Sequence, residues 1–156
     1  MAVAALPEGW PVISIPQANA AIAASDTPLK LSDGVVDGVS MKVYGDAPPT
    51  IRMVLELGEM QFAARDFLVY ENERITYSAF ARAFEHFAKA LVEDYGVQKG
   101  DRVAIIMRNY PQWPVPFFAA LSIGAIATPM NSWWTGDELE YGLNDSGAKV
   151  AVIDPP

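Results

Sequence analysis

The sequence predicts an α/β fold: a partial doubly wound parallel sheet behind an irregular N-terminal leader. Three observations predict it. Apolar runs without polar alternation occur at Arg102–Met107, Ala125–Thr128 and Lys149–Asp154, and such runs suit strands buried on both faces. Helical segments separate these runs, giving strand, helix, strand, helix, strand, which calls for right-handed crossovers in one parallel sheet. The chain has 156 residues, 51% hydrophobic and 19% charged, which suits about one domain with a sizeable core and excludes global disorder.

Residues 1–43 form a weakly patterned leader. Gln17–Ser25 suits a short Ala-rich helix. Leu31–Ser40 carries two Asp-Gly dipeptides, Asp33-Gly34 and Asp37-Gly38, and reads as either a hairpin or a wrapping arm. Residues 44–156 carry the stronger pattern. After Pro48 and Pro49, the spacing of Ile51, Val54, Leu55, Leu57 and Met60 predicts an amphipathic helix of about three turns. Phe67–Tyr70 reads as a strand, turned back by Glu71-Asn72-Glu73 into Arg74-Ile75-Thr76.

Tyr77–Asp94 is the clearest helix. Phe80, Phe84, Phe87 and Leu91 share one face, with Arg82, Glu85, His86, Lys89 and Glu93 largely on the other. Thr76 is a natural N-cap, and Gly96 stands where a left-handed C-terminal cap is needed. After the first buried run, a helix lies within Pro111–Ile123 and ends at Gly124. Thr135 and Glu138 form a capping box for a last helix, which ends near Ser146 with Gly147 as its cap.

Composition narrows the chemistry. Nineteen acidic residues against eleven basic ones give a formal charge of −8, unsuited to neutralising nucleic-acid phosphates. The chain lacks cysteine, which removes disulfides, thiolate nucleophiles and Cys-based metal sites. His86 is the one histidine, so a His-dependent triad hangs on a single position. No Lys or Arg precedes Lys30, and Pro7, Pro11 and Pro16 interrupt any signal-peptide core, so the cytoplasm is the expected compartment. Asn109–Gly136 carries no charge, but its prolines and short apolar core suit a buried helix and strand rather than a membrane span.

The candidate motifs are weak. There is no G-x-G-x-x-G and no Walker-type phosphate loop. Gly96-Val97-Gln98-Lys99-Gly100 precedes a strand instead of joining a strand to a helix, so it reads as a connecting turn. His86 reads as a surface residue. Asp137/Glu138 and Glu138/Glu140 diverge on a helix and read as solvated charges, not an acid–base pair. Trp133-Trp134 reads first as core or interface packing and second as a ligand contact.

Taken in order, several segments resemble the N-terminal part of the AMP-forming acyl-CoA synthetases, the adenylate-forming or AMP-binding enzymes. They are Ile75-Thr76-Tyr77, Gly96-Val97, Gly100-Asp101-Arg102-Val103-Ala104, Asn109-Tyr110-Pro111-Gln112-Trp113, Gly124-Ala125-Ile126, Pro129-Met130-Asn131, Glu138-Leu139-Glu140-Tyr141 and Asp145-Ser146-Gly147-Ala148-Lys149. Trp133-Trp134-Thr135-Gly136 looks like the fatty-acyl branch. Two departures stand out: Ala79 replaces the Glu that follows Thr-Tyr-x, which leaves that capping box incomplete, and Pro116 falls in a helix the family leaves uninterrupted, so a displaced or kinked first turn is expected.

The resemblance implies an ATP-dependent acid–thiol ligase as the parent enzyme. By that resemblance ATP and a carboxylate, expected to be a fatty acid, give an acyl-adenylate and pyrophosphate, with Mg²⁺ offsetting phosphate charge, and CoA then takes the acyl group. The family's phosphate loop, Thr-Glu motif and catalytic lysine lie beyond Pro156. No catalytic, cofactor-binding or metal-binding residue therefore carries over to this chain, which is expected to be a non-catalytic scaffold that binds none of these ligands tightly. The rival expectation is a stand-alone interaction or dimerisation module. An unpaired sheet edge makes a homodimer reasonable under either.

Overall fold

The computed structural model describes residues 12–24 and 30–154. The stretch through Pro11 that bears on targeting lies outside the described residues, as do Ser25 and Pro156. The chain divides between Pro49 and Thr50 into two compact units.

The first unit holds helix α1 (Ile15–Ala24) and a hairpin of β1 (Leu31–Val36) with β2 (Val39–Tyr44). Ser14 and Gln17 cap α1 reciprocally: the Gln17 amide donates to Ser14 Oγ at 3.4 Å, and the Ser14 amide donates to Gln17 Oε1 at 2.9 Å. Val36 pairs with Val39, leaving Asp37-Gly38 as a two-residue turn with φ of +48° and +82°. Positive φ at both positions is the type I′ turn whose twist matches its strands, and Asp-Gly is a preferred sequence for it. Of the two readings of Leu31–Ser40, the structure takes the hairpin.

In the second unit α2 (Ile51–Phe62) starts at Thr50, whose side chain accepts the Met53 amide. Strands β3 (Asp66–Tyr70) and β4 (Glu73–Thr76) pair antiparallel. Helix α3 (Tyr77–Glu93) follows, with Ala79 N donating to Thr76 Oγ1 at 3.2 Å. Ala79 removes only the side-chain half of the capping box. Phe80, Ala81, Phe84, Ala88 and Leu91 are buried, while Phe87 on the flank of the stripe is half-buried. Burying Leu91 completely is worth roughly 1.5–3 kcal/mol.

Three parallel strands complete the fold: β5 (Arg102–Ile106) lies between β6 (Ile126–Pro129) and β7 (Val150–Ile153). Val103 faces Ala127 on one side and Val150 on the other. Helices α4 (Pro114–Ser122) and α5 (Gly136–Ser146) make the two crossovers. The crossovers run in opposite directions across β5, so right-handed connections put the two helices on opposite faces of the sheet. Helix α4 packs on α3 and α2, and Phe84, Leu91, Val97, Val103, Ala119 and Ala120 meet in the core.

Two expectations need correction. Only β5 is buried along its whole described length beyond Arg102. Ile126 is 51% exposed and Ile153 is 68% exposed. A parallel strand is buried on both faces where neighbours and helices flank it, and β6 and β7 each pair with β5 alone. Nor does Pro116 displace its helix. Helix α4 begins at Pro114, which places Pro116 in the first turn, where an amide has no intrahelical acceptor to lose. No helix among the described residues is long and apolar enough to cross a membrane.

Candidate functional site at the carboxyl ends of the parallel strands

Open α/β sheets bind ligands outside the carboxyl ends of their strands. Here that edge carries two adjoining hollows that share Met107, Arg108 and Tyr110. One, of about 500 Å³, is also lined by Trp113, Met130, Asn131 and Trp133. The other, of about 340 Å³, reaches Tyr70, Gln112 and Asp154. A third hollow of about 350 Å³ lies between α2, α3 and α4, over Phe84 and Ile123. It shares no lining residue with the two hollows at the carboxyl edge, and on its rim Arg52 pairs with Glu56 and Lys89 with Glu93.

The chain builds the carboxyl edge in short steps. Met130 N donates to Ile105 O at 2.9 Å, carrying the sheet pairing one residue past β6. Asn131 Oδ1 then accepts the Trp133 amide at 3.0 Å and bends the backbone outward. Trp133 is 84% exposed. Trp134 lies over α5: a Cβ added at Gly142 would come within 3.0 Å of its ring. Trp133 therefore does not cap the core, while Trp134 packs on its own helix.

Across the edge, Arg108 Nε bonds Asp154 Oδ2, tying the residues after β5 to the end of β7. The bond to Arg108 lowers the Asp154 pKa from the ordinary carboxylate value and raises that of the guanidinium. Arg108 also lies 4.9 Å from the Tyr110 ring centre, and Tyr110 meets Tyr70 edge to face. Trp113 stacks on Phe117 at 5.3 Å. The site thus offers aromatic walls, the neutral amides of Asn109 and Asn131, and one internally paired ion pair. Such groups can contact a ligand by stacking and hydrogen bonding.

The other candidates occupy structural places. His86 is exposed, and its Nδ1 lies 2.7 Å from the Arg82 carbonyl. Glu138 accepts from Thr135 N at 2.8 Å and from Thr135 Oγ1 at 2.9 Å, which completes the capping box. Those bonds lower its pKa, the wrong direction for a proton donor near neutral pH. Asp137 and Glu140 are exposed on α5. Gly96–Gly100 is a turn: Gln98 N donates to Asp101 Oδ2 at 2.8 Å, and Lys99 runs along Gly124. Among the described residues no group of three or more His, Asp and Glu could hold a metal ion.

Sequence reasoning missed what Asp101 and Arg102 do. Arg102 Nε donates to Ser146 O at 2.8 Å and its Nη2 to Gly147 O at 3.1 Å, which satisfies carbonyls at the end of α5. Lys149 Nζ donates to Gly96 O at 2.6 Å and to Asp101 Oδ2 at 2.9 Å. Charged residues at a strand entrance, with orphan carbonyls at the preceding helix end, were the available signal.

The AMP-binding enzyme family matches residues 58–155. A long-chain-fatty-acid–CoA ligase of Escherichia coli is 37% identical over 115 residues, which cover 74% of this chain and 20% of the ligase. The N-terminal subdomain of Klebsiella oxytoca NpsA, solved with anthranilyl-AMSN, superposes with a TM-score of 0.63 at 26% identity, covering 69% of this chain and 28% of that one. Unliganded O-succinylbenzoate coenzyme A synthetase of Bacillus subtilis gives 0.60 at 26% identity, covering 64% of this chain and 22% of that one. The chain spans about a fifth of the length of the curated ligase it matches. With the fold and the matched residues in agreement, the chain belongs to the AMP-binding enzyme family.

Proposed function

We propose that this chain is the N-terminal part of an ATP-dependent acyl-CoA ligase. In that enzyme a carboxylate, most simply a fatty acid, attacks the α-phosphate of ATP and expels pyrophosphate. The thiolate of CoA then displaces AMP from the acyl carbon. The observation that carries the proposal is the 37% identity to a long-chain-fatty-acid–CoA ligase over 115 residues.

The role assigned to these residues is architectural. The sheet β6-β5-β7 presents its carboxyl edge, and Arg108, Tyr110 and Trp113 shape a wall there for groups bound by the rest of the enzyme. The isolated chain neither forms acyl-adenylate nor holds ATP, CoA or Mg²⁺ tightly. The enzyme works in the cytoplasm, and a homodimer formed through an open sheet edge is compatible with the fold.

The test is thioester formation by the polypeptide of the complete reading frame. Fatty acid, ATP and CoA should give acyl-CoA with stoichiometric AMP. Formation of ADP in place of AMP, or no thioester with any carboxylic acid, contradicts the proposal.

A further inference from the structure

The two Asp-Gly dipeptides of the leader sit in opposite structural settings, and the ligase reading uses neither. An Asp-Gly bond can rearrange without an enzyme. The glycine amide nitrogen attacks the aspartate side-chain carbon, a C–N bond forms, and water leaves to give a cyclic imide. Water then adds back. Opening at one carbonyl restores aspartate. Opening at the other routes the main chain through the side-chain carbon as isoaspartate. No oxidant, reductant or other co-reactant is consumed.

The rearrangement needs an unhindered nitrogen, a free carboxyl group and room for the backbone to rotate into a flat ring. Asp37-Gly38 has all three. Asp37 is exposed, and among the described residues its carboxylate has no hydrogen-bond or ion-pair partner. A Cβ added at Gly38 would meet nothing within 4 Å. Asp37 sits at φ +48° in the two-residue turn, outside the paired register of the ladder.

Asp33-Gly34 lacks them. The Asp33 carboxylate lies 2.7 Å from Lys42 Nζ. Gly34 is inside the ladder opposite Met41, and an added Cβ there would come within 2.6 Å of Val43 Cγ2. The ladder and this close cross-strand contact hold the backbone extended.

We infer that Asp37 is a site of spontaneous isoaspartate formation, and hence a substrate for isoaspartyl carboxyl methylation, while the ladder protects Asp33. An inserted main-chain carbon at Asp37 breaks the two-residue turn, so the modification would unpair Val36 from Val39. The test ages the full chain at physiological temperature and near-neutral pH, then maps isoaspartate by electron-transfer fragmentation, with a parallel sample in concentrated urea. The folded chain should accumulate isoaspartate at Asp37 about tenfold faster than at Asp33, by local protection of the ladder. In urea the two sites should approach equal rates, and Asp37→Glu should abolish the signal at that position. Equal rates in the folded chain, faster reaction at Asp33, or no isoaspartate at Asp37 while the urea sample accumulates it would each overturn the inference.

Discussion

The amino and carboxyl ends of the same three parallel strands are built differently. At the amino ends, Arg102 reaches two carbonyls at the close of α5, and Lys149 joins Gly96 O to Asp101. Backbone bonds reinforce them: Lys149 N donates to Arg102 O at 2.9 Å, and Ile126 N donates to Asp101 O at 2.8 Å. At the carboxyl ends, among the described residues, the Arg108–Asp154 ion pair spans the edge, and Trp133 stands in solvent. The amino end holds the fold together; the carboxyl end keeps polar and aromatic groups available. Ligand sites in open α/β sheets lie at carboxyl ends. A fold can therefore concentrate its fastening at the opposite end and leave the binding edge free to vary.

Substitutions at the two ends can break that contrast. The largest effect is expected at Arg102. Arg102→Ala leaves the Ser146 and Gly147 carbonyls without their donor, and should cost about 1–3 kcal/mol in urea unfolding. A loss no larger than that of a surface substitution would dissolve the contrast. Next comes Thr135, which anchors the loop between the carboxyl edge and α5. Thr135→Ala removes the side-chain half of the capping box and leaves the backbone N–H on Glu138, and should cost about 1 kcal/mol, with Thr135→Ser recovering most of it. At the open edge, Trp133→Ala should change stability by no more than about 0.5 kcal/mol. A larger loss would show that Trp133 fastens the fold. Gly142→Ala gains helix propensity but presses on Trp134, so tryptophan fluorescence should shift more than the unfolding midpoint.

The smallest effect is expected from acid. Lys149 and Gln98 lower the Asp101 pKa, and Arg108 lowers that of Asp154. Each folded pKa lies below its unfolded value. The stabilisation is therefore complete above the unfolded value and fades as pH falls through the folded one. Asp101→Asn should flatten this acid limb at the amino end. An unchanged limb in both Asp101→Asn and Asp154→Asn would remove both pairs from the account.

The elements most legible in sequence were those whose signal is local. The Thr135–Glu138 box and the Asp37-Gly38 turn each lie within a few residues, the Phe80–Leu91 stripe lies within one helix, and each forms. The Ser14–Gln17 box was equally local and went unread behind the prolines around it. Burial of β6 and β7 was overstated, because an apolar run reports what a strand can bury and not how many neighbours it has. The candidate site was least legible. Arg108 meets Asp154, and Tyr110 meets Tyr70, across separations that no motif spacing encodes. Gly100-Asp101-Arg102 marked the family without disclosing its work, since its partners at Ser146 and Lys149 arrive only once β7 pairs with β5.

The central claim is that these residues supply the frame of an adenylating enzyme whose chemistry resides elsewhere in the polypeptide. Fatty-acid-dependent exchange of labelled pyrophosphate into ATP tests it most directly, run in parallel on the purified 156-residue chain and on the product of the complete reading frame. The account predicts exchange by the complete product and none by the chain alone. Sustained exchange by the chain alone, or none by the complete product with any carboxylic acid, would contradict it.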